Sequence, residues 1–255
     1  MRITERLTKP AIAALASLLL LAPAAHAEEV LVAVAANFTD AMRDIAREFE
    51  KETGHKAVVS FASTGKLYAQ IENGAPFEVF LAADSQRPEK AEAEGLAVPG
   101  SRFTYAKGKL ALWSPTQGLF TGGEEFLKTG TFSHVAIANP KTAPYGLAAR
   151  QALIHMSLWN TLSPWLVHGD TIAQTFQFVA SGNAELGFVA LSQLKALPDK
   201  TGSSWEIPES YYEPITQQAV LLKKGETNPA ARAFIDFLKG GTAQDITVSY
   251  GYGVE

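Results

Sequence analysis

The sequence predicts an α/β protein with two lobes, each a doubly wound sheet, and two patterns indicate this fold class. First, apolar runs of strand length alternate with amphipathic segments of helix length along most of the chain, which is typical of parallel sheets with helices on both faces. Second, two such series follow one another and further helical segments end the chain. We therefore expect the chain to cross between two lobes twice, with one continuous domain as the alternative.

The first 27 residues have the composition of a cleaved secretory signal peptide. Arg2, Arg6 and Lys9 precede an apolar run, and Ala25-His26-Ala27 offers the small residues of a signal-peptidase site. The apolar run, at 11–21, is shorter than a membrane-spanning helix requires; a retained membrane anchor is the alternative. The mature protein is therefore expected to comprise residues 28–255.

Charge and cysteine content narrow the function classes. Without the signal, 19 basic and 25 acidic side chains remain, a net charge of −6. A surface of this sign does not favour nucleic acid or an anionic membrane as partner. The chain has no cysteine, so it has neither a disulfide nor a residue for an N-terminal lipid. We expect a freely soluble protein of a bacterial periplasm.

The first series of elements follows the signal. Its strands are predicted at 31–36, 56–62 and 77–83, and its helices at 38–49, 67–71 and 89–94. Gly54, Gly74 and Gly95 follow the three helices, as expected of residues that end a helix.

A second series of elements lies between two strands predicted at 109–113 and 218–222, near the crossovers, and it predicts the second lobe. Its strands are predicted at 134–138 and 186–190, and its helices at 147–155 and 172–180. Asn228-Pro229 then starts another helix, with Asn as N-cap and Pro at the first helical position. We place 28–107 and 217–255 in the first lobe and 108–216 in the second.

Four predicted helices begin with small or hydroxylated residues. These starts are Ala36-Asn37, Ser63-Thr64-Gly65, Pro144-Tyr145-Gly146 and Asp170-Thr171-Ile172. We expect Asn37 to cap its helix. A helix start carries unpaired N–H donors and partial positive charge, which suit an anion, and ligands of open α/β sheets bind at the carboxyl ends of strands. Two starts fall in each lobe, so they predict a dianion site in the cleft; ordinary capping is the alternative.

Patterns for other kinds of site are incomplete. Ser63-Thr64-Gly65-Lys66 is not a phosphate-binding loop, since Ser60 and Leu67 stand where that motif has Gly and Ser or Thr. No two histidines have metal-ligand spacing, and no serine lies in a G-x-S-x-G pattern. We expect a binding protein without catalysis or cofactor; a periplasmic enzyme acting on an anionic substrate is the alternative.

Four short stretches carry a resemblance to a known family. They are Ala35-Ala36-Asn37-Phe38, Phe61-Ala62-Ser63-Thr64, Ile71-Glu72-Asn73-Gly74-Ala75-Pro76 and Leu186-Gly187-Phe188-Val189. In this order and spacing the chain, from Val30 to Tyr252, resembles the molybdate-binding proteins of bacterial ABC importers, which have the type 2 periplasmic binding-protein fold. The resemblance implies a monomeric receptor that holds molybdate or tungstate between its lobes by neutral donors and closes for delivery to the transmembrane subunits of an ABC permease.

The resemblance also implies the residues that contact the oxyanion. They are Ala36, Asn37, Ser63, Thr64, Tyr145 and Ile172. Tyr145 and Ile172 would act through their backbone amides, and either or both hydroxyls of the Ser-Thr pair would serve. Asn37, Thr64, Tyr145 and Ile172 would approach the metal only through molybdate oxygens. Many relatives carry a ligand tyrosine where this chain has Ala190; the Tyr145 hydroxyl would compensate, as in the branch of the family with Asn and Tyr at these positions.

The protonation state of the anion predicts which anions the site selects. Molybdate and tungstate only accept hydrogen bonds, whereas monohydrogen phosphate also needs an acceptor. We expect Asp40 and Asp170 to cap or face away and therefore predict that phosphate is rejected. Lys66 is expected to steer the anion without touching it. A receptor for sulfate, phosphonate or a chelated metal is the alternative within the same fold.

Overall fold

The structure is a computed structural model that describes residues 27–199 and 201–254. The predicted signal peptide lies outside the described residues, except for Ala27 at its end. Two five-stranded sheets with helices form a two-lobed α/β fold, which confirms the predicted class. In the described part of the chain, no helix combines the length and apolar character needed to cross a membrane.

Five strands form the first sheet. They are β1 (Glu29–Ala35), β2 (Lys56–Ala62), β3 (Val79–Leu81), β4 (Phe103–Gly108) and β10 (Ile215–Leu221), in the spatial order β2-β1-β3-β10-β4. β1 is parallel to β2 and β3, whereas β10 is antiparallel to β3 and β4. The prediction of a parallel sheet is wrong for β10, because this strand returns from the second lobe, starts beside the end of β4 and runs back between β3 and β4.

Five further strands form the second sheet. They are β5 (Leu110–Ser114), β6 (Val135–Ala138), β7 (Leu166–Gly169), β8 (Leu186–Ala190) and β9 (Ser203–Glu206), in the order β7-β6-β8-β5-β9. β6 is parallel to β7 and β8, and β5 is antiparallel to β8 and β9. This sheet is therefore mixed as well.

Ten α-helices cover the sheets of the described residues. They are α1 (Thr39–Thr53), α2 (Thr64–Glu72), α3 (Gln86–Ala93), α4 (Gly123–Thr129), α5 (Pro144–His155), α6 (Trp159–Leu162), α7 (Ile172–Ala180), α8 (Leu191–Lys195), α9 (Pro229–Lys239) and α10 (Gly241–Ser249). α1 buries one apolar face and ends at Gly54, whose left-handed φ of 76° suits glycine. α9 begins as predicted, with the Asn228 side chain accepting a hydrogen bond from the Ala230 amide.

Both faces of each sheet carry a hydrophobic core. On the first sheet, Val32 and Val34 pack on the side of α1 and α9, and Ala33 and Phe80 pack on the side of α2. The second sheet divides in the same way, with Leu112 and Phe188 on one face and Ala111 and Val189 on the other. This two-sided burial agrees with the near-continuous apolar strands of the sequence.

The chain passes between the sheets at two places. It leaves the first sheet at Gly108, enters the second at Leu110, and returns between Glu206 and Ile215. We call the first sheet with α1–α3, α9 and α10 the first lobe, and the second sheet with α4–α8 the second lobe. The exact lobe boundaries, at 107/108 and 216/217, stay a prediction.

Candidate functional site

A small cavity lies between the lobes, where strands of both sheets give way to helices. It holds about 200 Å³ of space between atoms, its opening included. Its lining includes every residue of the predicted site: Ala36, Asn37, Ser63, Thr64, Tyr145 and Ile172. Four separate strand-to-helix junctions, two in each lobe, therefore converge on one place.

The junction after β1 contains Asn37. This residue lies in a 3-10 turn, Ala36–Phe38, and α1 begins at Thr39 without a side-chain cap. The prediction that Asn37 caps the helix is therefore wrong. Its buried carboxamide instead donates from Nδ2 to Gln217 Oε1 (2.8 Å) and to the Tyr252 hydroxyl (3.1 Å). Both side-chain N–H groups are thus engaged, which leaves the backbone amide as the candidate donor of Asn37 for the cavity.

The junction after β2 supplies two hydroxyls. Thr64 Oγ1 accepts a hydrogen bond from the Ala83 amide (3.0 Å), which leaves the hydroxyl proton for another acceptor. Ser63 is 3% exposed, and its Oγ has no hydrogen-bond partner among the described residues. A buried polar group without a partner costs about 1–3 kcal/mol. An anion in the cavity would remove that cost by accepting from Ser63.

The junction after β6 presents the start of α5. Pro144 has no N–H group, and the amides of Gly146 and Leu147 both donate to the Ala143 carbonyl (2.9 and 3.1 Å). Tyr145 therefore keeps the first-turn amide that has no intrahelical acceptor. Its ring is buried, and its hydroxyl accepts a hydrogen bond from Gln217 Nε2 at 3.4 Å.

The junction after β7 presents the start of α7. Thr171 Oγ1 accepts from the Gln174 amide (3.0 Å) and so caps the helix. Gln193 Nε2 donates to the Ile172 carbonyl at 3.2 Å, which helps to fix this residue at the cavity. The Ile172 amide, as the first of the helix, has no intrahelical acceptor.

The two aspartates near these junctions face away from the cavity, as predicted. Asp170 Oδ2 lies 2.8 Å from Lys66 Nζ, and the two side chains are 65% and 45% exposed. Asp40 pairs with Arg43 on the surface of α1. Among the described residues, no charged side chain lines the cavity.

A buried polar cluster lies behind the cavity. Besides Asn37 and Tyr145 it contains Gln217, Tyr105 and Tyr252. Burial raises the pKa of all three tyrosines, that of Tyr105 and of Tyr145 well above the ordinary value. The phenols therefore stay protonated at neutral pH, and the cluster is uncharged.

Direct contacts across the cleft join the two lobes around the cavity. The Gly65 amide donates to the Thr142 carbonyl at 2.9 Å. Ser192 Oγ lies 3.1 Å from the Asn37 carbonyl and 2.9 Å from the Tyr252 hydroxyl. The structure thus has its lobes in contact over the site.

Sequence reasoning missed Gln217 and Tyr252, which lie behind the site, and Ala83, which lines the cavity and donates to Thr64. The sequence contains a signal for Gln217, because Ile215 and Ala219 lie two residues before and after it and strand residues at this spacing share a face. In the structure all three side chains are on the buried side of β10. A polar residue at that phase of a strand needs internal partners. Ala190 is buried at the end of β8 and offers no side-chain donor.

Comparison with known proteins places the chain in a family. Residues 30–253 match the family model described as bacterial extracellular solute-binding protein. The chain is 58% identical to the molybdate-binding protein ModA of Azotobacter vinelandii, over 92% of this chain and 94% of that protein. It is 50% identical to the molybdate-binding protein ModA of Rhodobacter capsulatus, over 95% of both.

A solved structure shows the same fold. The periplasmic molybdate-binding protein of Azotobacter vinelandii is similar with a TM-score of 0.85 and 44% identity, over 89% of this chain and 99% of that one. The family model covers nearly the whole described chain, and these relatives match at high identity along nearly their full length. The chain therefore belongs to the family of bacterial extracellular solute-binding proteins, which are transport proteins and not enzymes.

Proposed function

We propose that this protein is the substrate-binding receptor of a bacterial ABC importer and that it captures molybdate, with tungstate as a second ligand. The observation that supports this most directly is the buried, unpartnered Ser63 hydroxyl in a cavity between the lobes. Relatives that are 58% and 50% identical are named molybdate-binding proteins. A cavity lined by neutral donors fits a tetrahedral oxyanion.

The anion is held by neutral donors from both lobes. The first lobe contributes the amides of Ala36 and Asn37 and the hydroxyls of Ser63 and Thr64. The second lobe contributes the amides of Tyr145 and Ile172. All of them contact molybdate oxygens, and no protein atom ligates the metal. Each hydrogen bond to a charged partner contributes about 1.5–3 kcal/mol, so four to seven suffice for tight binding.

Binding and lobe closure are linked in this proposal. Because each lobe holds only some of the donors, the anion binds fully only when the lobes are together. The closed receptor, a monomer in the periplasm after signal cleavage, then presents itself to the transmembrane subunits of the permease. The lobes divide close to 107/108 and 216/217, near the end of β4 and the start of β10.

Selectivity depends on the protonation of the anion and on its size. Among the described residues, the cavity lining contains no carboxylate that could accept the proton of monohydrogen phosphate. Sulfate has no such proton, so its rejection depends on the fit of the cavity. We expect molybdate and tungstate to bind and phosphate not to bind.

Calorimetric titration of residues 28–255 with molybdate, tungstate, sulfate and phosphate, in separate runs, tests the proposal. Tight binding of one molybdate or tungstate per protein is expected, without heat from phosphate. An absence of heat with molybdate and tungstate would contradict the proposed ligand.

A further inference from the structure

Gln217 contacts one residue of the proposed anion site from each lobe. Its Oε1 accepts from Asn37 Nδ2 at 2.8 Å, and its Nε2 donates to the Tyr145 hydroxyl at 3.4 Å. Oε1 also accepts from the Tyr105 hydroxyl at 3.0 Å. Gln217 itself is 0% exposed and does not line the cavity. It therefore lies behind the site, bonded to residues on both sides of the cleft.

The fold places this side chain by means of strand β10. Gln217 belongs to the strand that returns from the second lobe, and the pairing of β10 with β4 shifts register between Gln217 and Gln218. Neighbouring residues of a strand point to opposite faces, so the two glutamines have different surroundings. Gln218, half-buried, bonds to Arg102 and Thr104 away from the cavity.

Gly108, at the other crossover, shows how closely this arrangement is packed. A Cβ atom at Gly108 would collide with the Tyr145 hydroxyl and lie 2.7 Å from Gln217 Nε2. The Tyr145 hydroxyl, from the second lobe, thus lies between Gly108 of β4 and Gln217 of β10, the two strands at which the chain passes between the lobes. Only a residue without a side chain leaves room for it.

We propose that Gln217 is a positioning residue that makes the anion affinity depend on lobe closure. In the first lobe it orients Asn37, whose backbone amide faces the anion. On closure it bonds the Tyr145 hydroxyl and so sets the start of α5, whose amide faces the anion from the other lobe. This inference rests on the proposed function, because its effect is read through anion binding.

The other groups around Gln217 are neutral. Tyr105, Tyr145 and Tyr252 keep their protons because burial raises their pKa. Hydrogen bonds to a neutral amide in this buried cluster are strengthened by low local polarity, and an unmade bond there is costly. Loss of the carboxamide therefore leaves Asn37 and Tyr145 without their shared partner.

The test compares Gln217→Leu with a matched change, Gln218→Leu, at the neighbouring position of the same strand. Molybdate affinity is measured by calorimetry, and molybdate dissociation by stopped flow. We expect Gln217→Leu to weaken binding by about tenfold or more, mainly through faster dissociation. Gln218→Leu should keep the wild-type affinity and dissociation rate. Equal behaviour of the two variants would overturn the proposal.

Urea unfolding of the unliganded variants separates positioning from stability. A merely structural role lowers the unfolding midpoint and leaves the dissociation rate of the folded fraction unchanged. In Gly108→Ala, the added methyl group on β4 would block the contact between Gln217 Nε2 and the Tyr145 hydroxyl. This variant is expected to bind molybdate about tenfold more weakly or worse. Wild-type affinity in Gly108→Ala would also overturn the proposal.

A double-mutant cycle tests the link to Tyr145. If Gln217 acts through the Tyr145 hydroxyl, Tyr145→Phe should add little to the effect of Gln217→Leu. Full additivity of the two changes would contradict this link. Wild-type protein is titrated in the same series. If wild type does not bind molybdate, the proposed function is wrong. If wild type binds and Gln217→Leu binds equally well, only this inference is wrong.

Discussion

At the scale of single residues, the proposed site uses hydroxyls and backbone amides and places its charged side chains outside. This arrangement suits a dianion in a protein whose residues 28–255 carry a net charge of −6, because fixed neutral donors bind it without burying a cation. A buried cationic side chain would have to lose its hydration shell, which costs free energy. The unpartnered Ser63 hydroxyl shows that the free protein accepts a cost at this position.

Ser63→Ala should change binding and stability in opposite directions. The variant loses a hydrogen bond to the anion, so molybdate affinity should fall by roughly tenfold or more, equivalent to about 1.5–3 kcal/mol. Removal of an unpartnered buried hydroxyl should at the same time raise the free energy of unfolding of the ligand-free protein by about 1 kcal/mol. Calorimetry and urea unfolding measure the two quantities.

Ser60→Ala is the matched control, since Ser60 lies on β2 three residues before Ser63 and is exposed. It should leave both quantities unchanged. A Ser63→Ala variant that binds molybdate as tightly as wild type would show that the Ser63 hydroxyl does not contact the anion.

At the scale of elements, the starts of helices are held at the cavity by close packing and by contacts across the cleft. α5 approaches β6 closely at Gly146, where a Cβ atom would lie 2.6 Å from the carbonyl carbon of Ala138. That carbon belongs to the backbone and has little freedom to move. The position of the Tyr145 amide therefore depends on glycine at the next residue.

Gly146→Ala should displace the start of α5. We expect a loss of about 1–3 kcal/mol in the free energy of unfolding, together with weaker molybdate binding. Gly122→Ala is the matched control, because nothing lies within 4 Å of its Cβ position. If Gly146→Ala resembled Gly122→Ala in urea unfolding and calorimetry, the close approach of α5 would not matter for the site.

The ion pair between α2 and the loop before α7 gives a prediction about rates. Lys66 and Asp170 are both well exposed, so the pair itself stabilises closure by at most about 1 kcal/mol. Lys66→Ala should slow molybdate association at low ionic strength, and Asp170→Asn should accelerate it, because each changes the local potential. Stopped-flow measurements at low and high salt test this. A large rise in dissociation rate in Lys66→Ala would instead place the ammonium group on the anion.

At the scale of the whole molecule, the buried tyrosines give stability a dependence on alkaline pH. The pKa values of Tyr105, Tyr145 and Tyr252 are raised by burial in the folded protein. Below the ordinary tyrosine pKa of about 10 both states are protonated. Above it the unfolded chain loses these protons first, so the free energy of unfolding should fall by up to about 1.4 kcal/mol per pH unit for each group.

Urea midpoints from pH 9 to about pH 11 check this expectation against Tyr105→Phe, which has one such group fewer. The variant should be less stable at neutral pH, since Tyr105 donates to Gln217, and should lose stability less steeply as the pH rises. Parallel pH profiles for the two proteins would contradict the raised pKa of Tyr105.

Much of this molecule could be predicted from its sequence, because local patterns determine it. The runs at 172–180 and 186–190 became α7 and β8 with the same bounds, and Asn228 caps α9. The reversed directions of β5 and β10 were missed, since strand direction depends on the path between lobes. Asn37 was misread as a cap because its actual partners, Gln217 and Tyr252, lie 180 and 215 residues away.

The six residues predicted for the site all line one cavity, but which of their groups face the cavity and which are bonded elsewhere was not predicted. Resemblance to a family indicated Asn37 and Tyr145 by position. That the Asn37 carboxamide is engaged by Gln217, and that the Tyr145 hydroxyl lies against Gly108, depends on packing between lobes. Such packing leaves little trace in local periodicity.

The central claim, an oxyanion held between the lobes by neutral donors, is tested most directly by locating the metal. Crystals of residues 28–255 grown with molybdate would be measured at wavelengths on either side of the molybdenum absorption edge. We expect one anomalous peak per molecule in the cavity bounded by Asn37, Ser63, Tyr145 and Ile172. A peak elsewhere, or a cavity without one in crystals grown at saturating molybdate, would contradict the account.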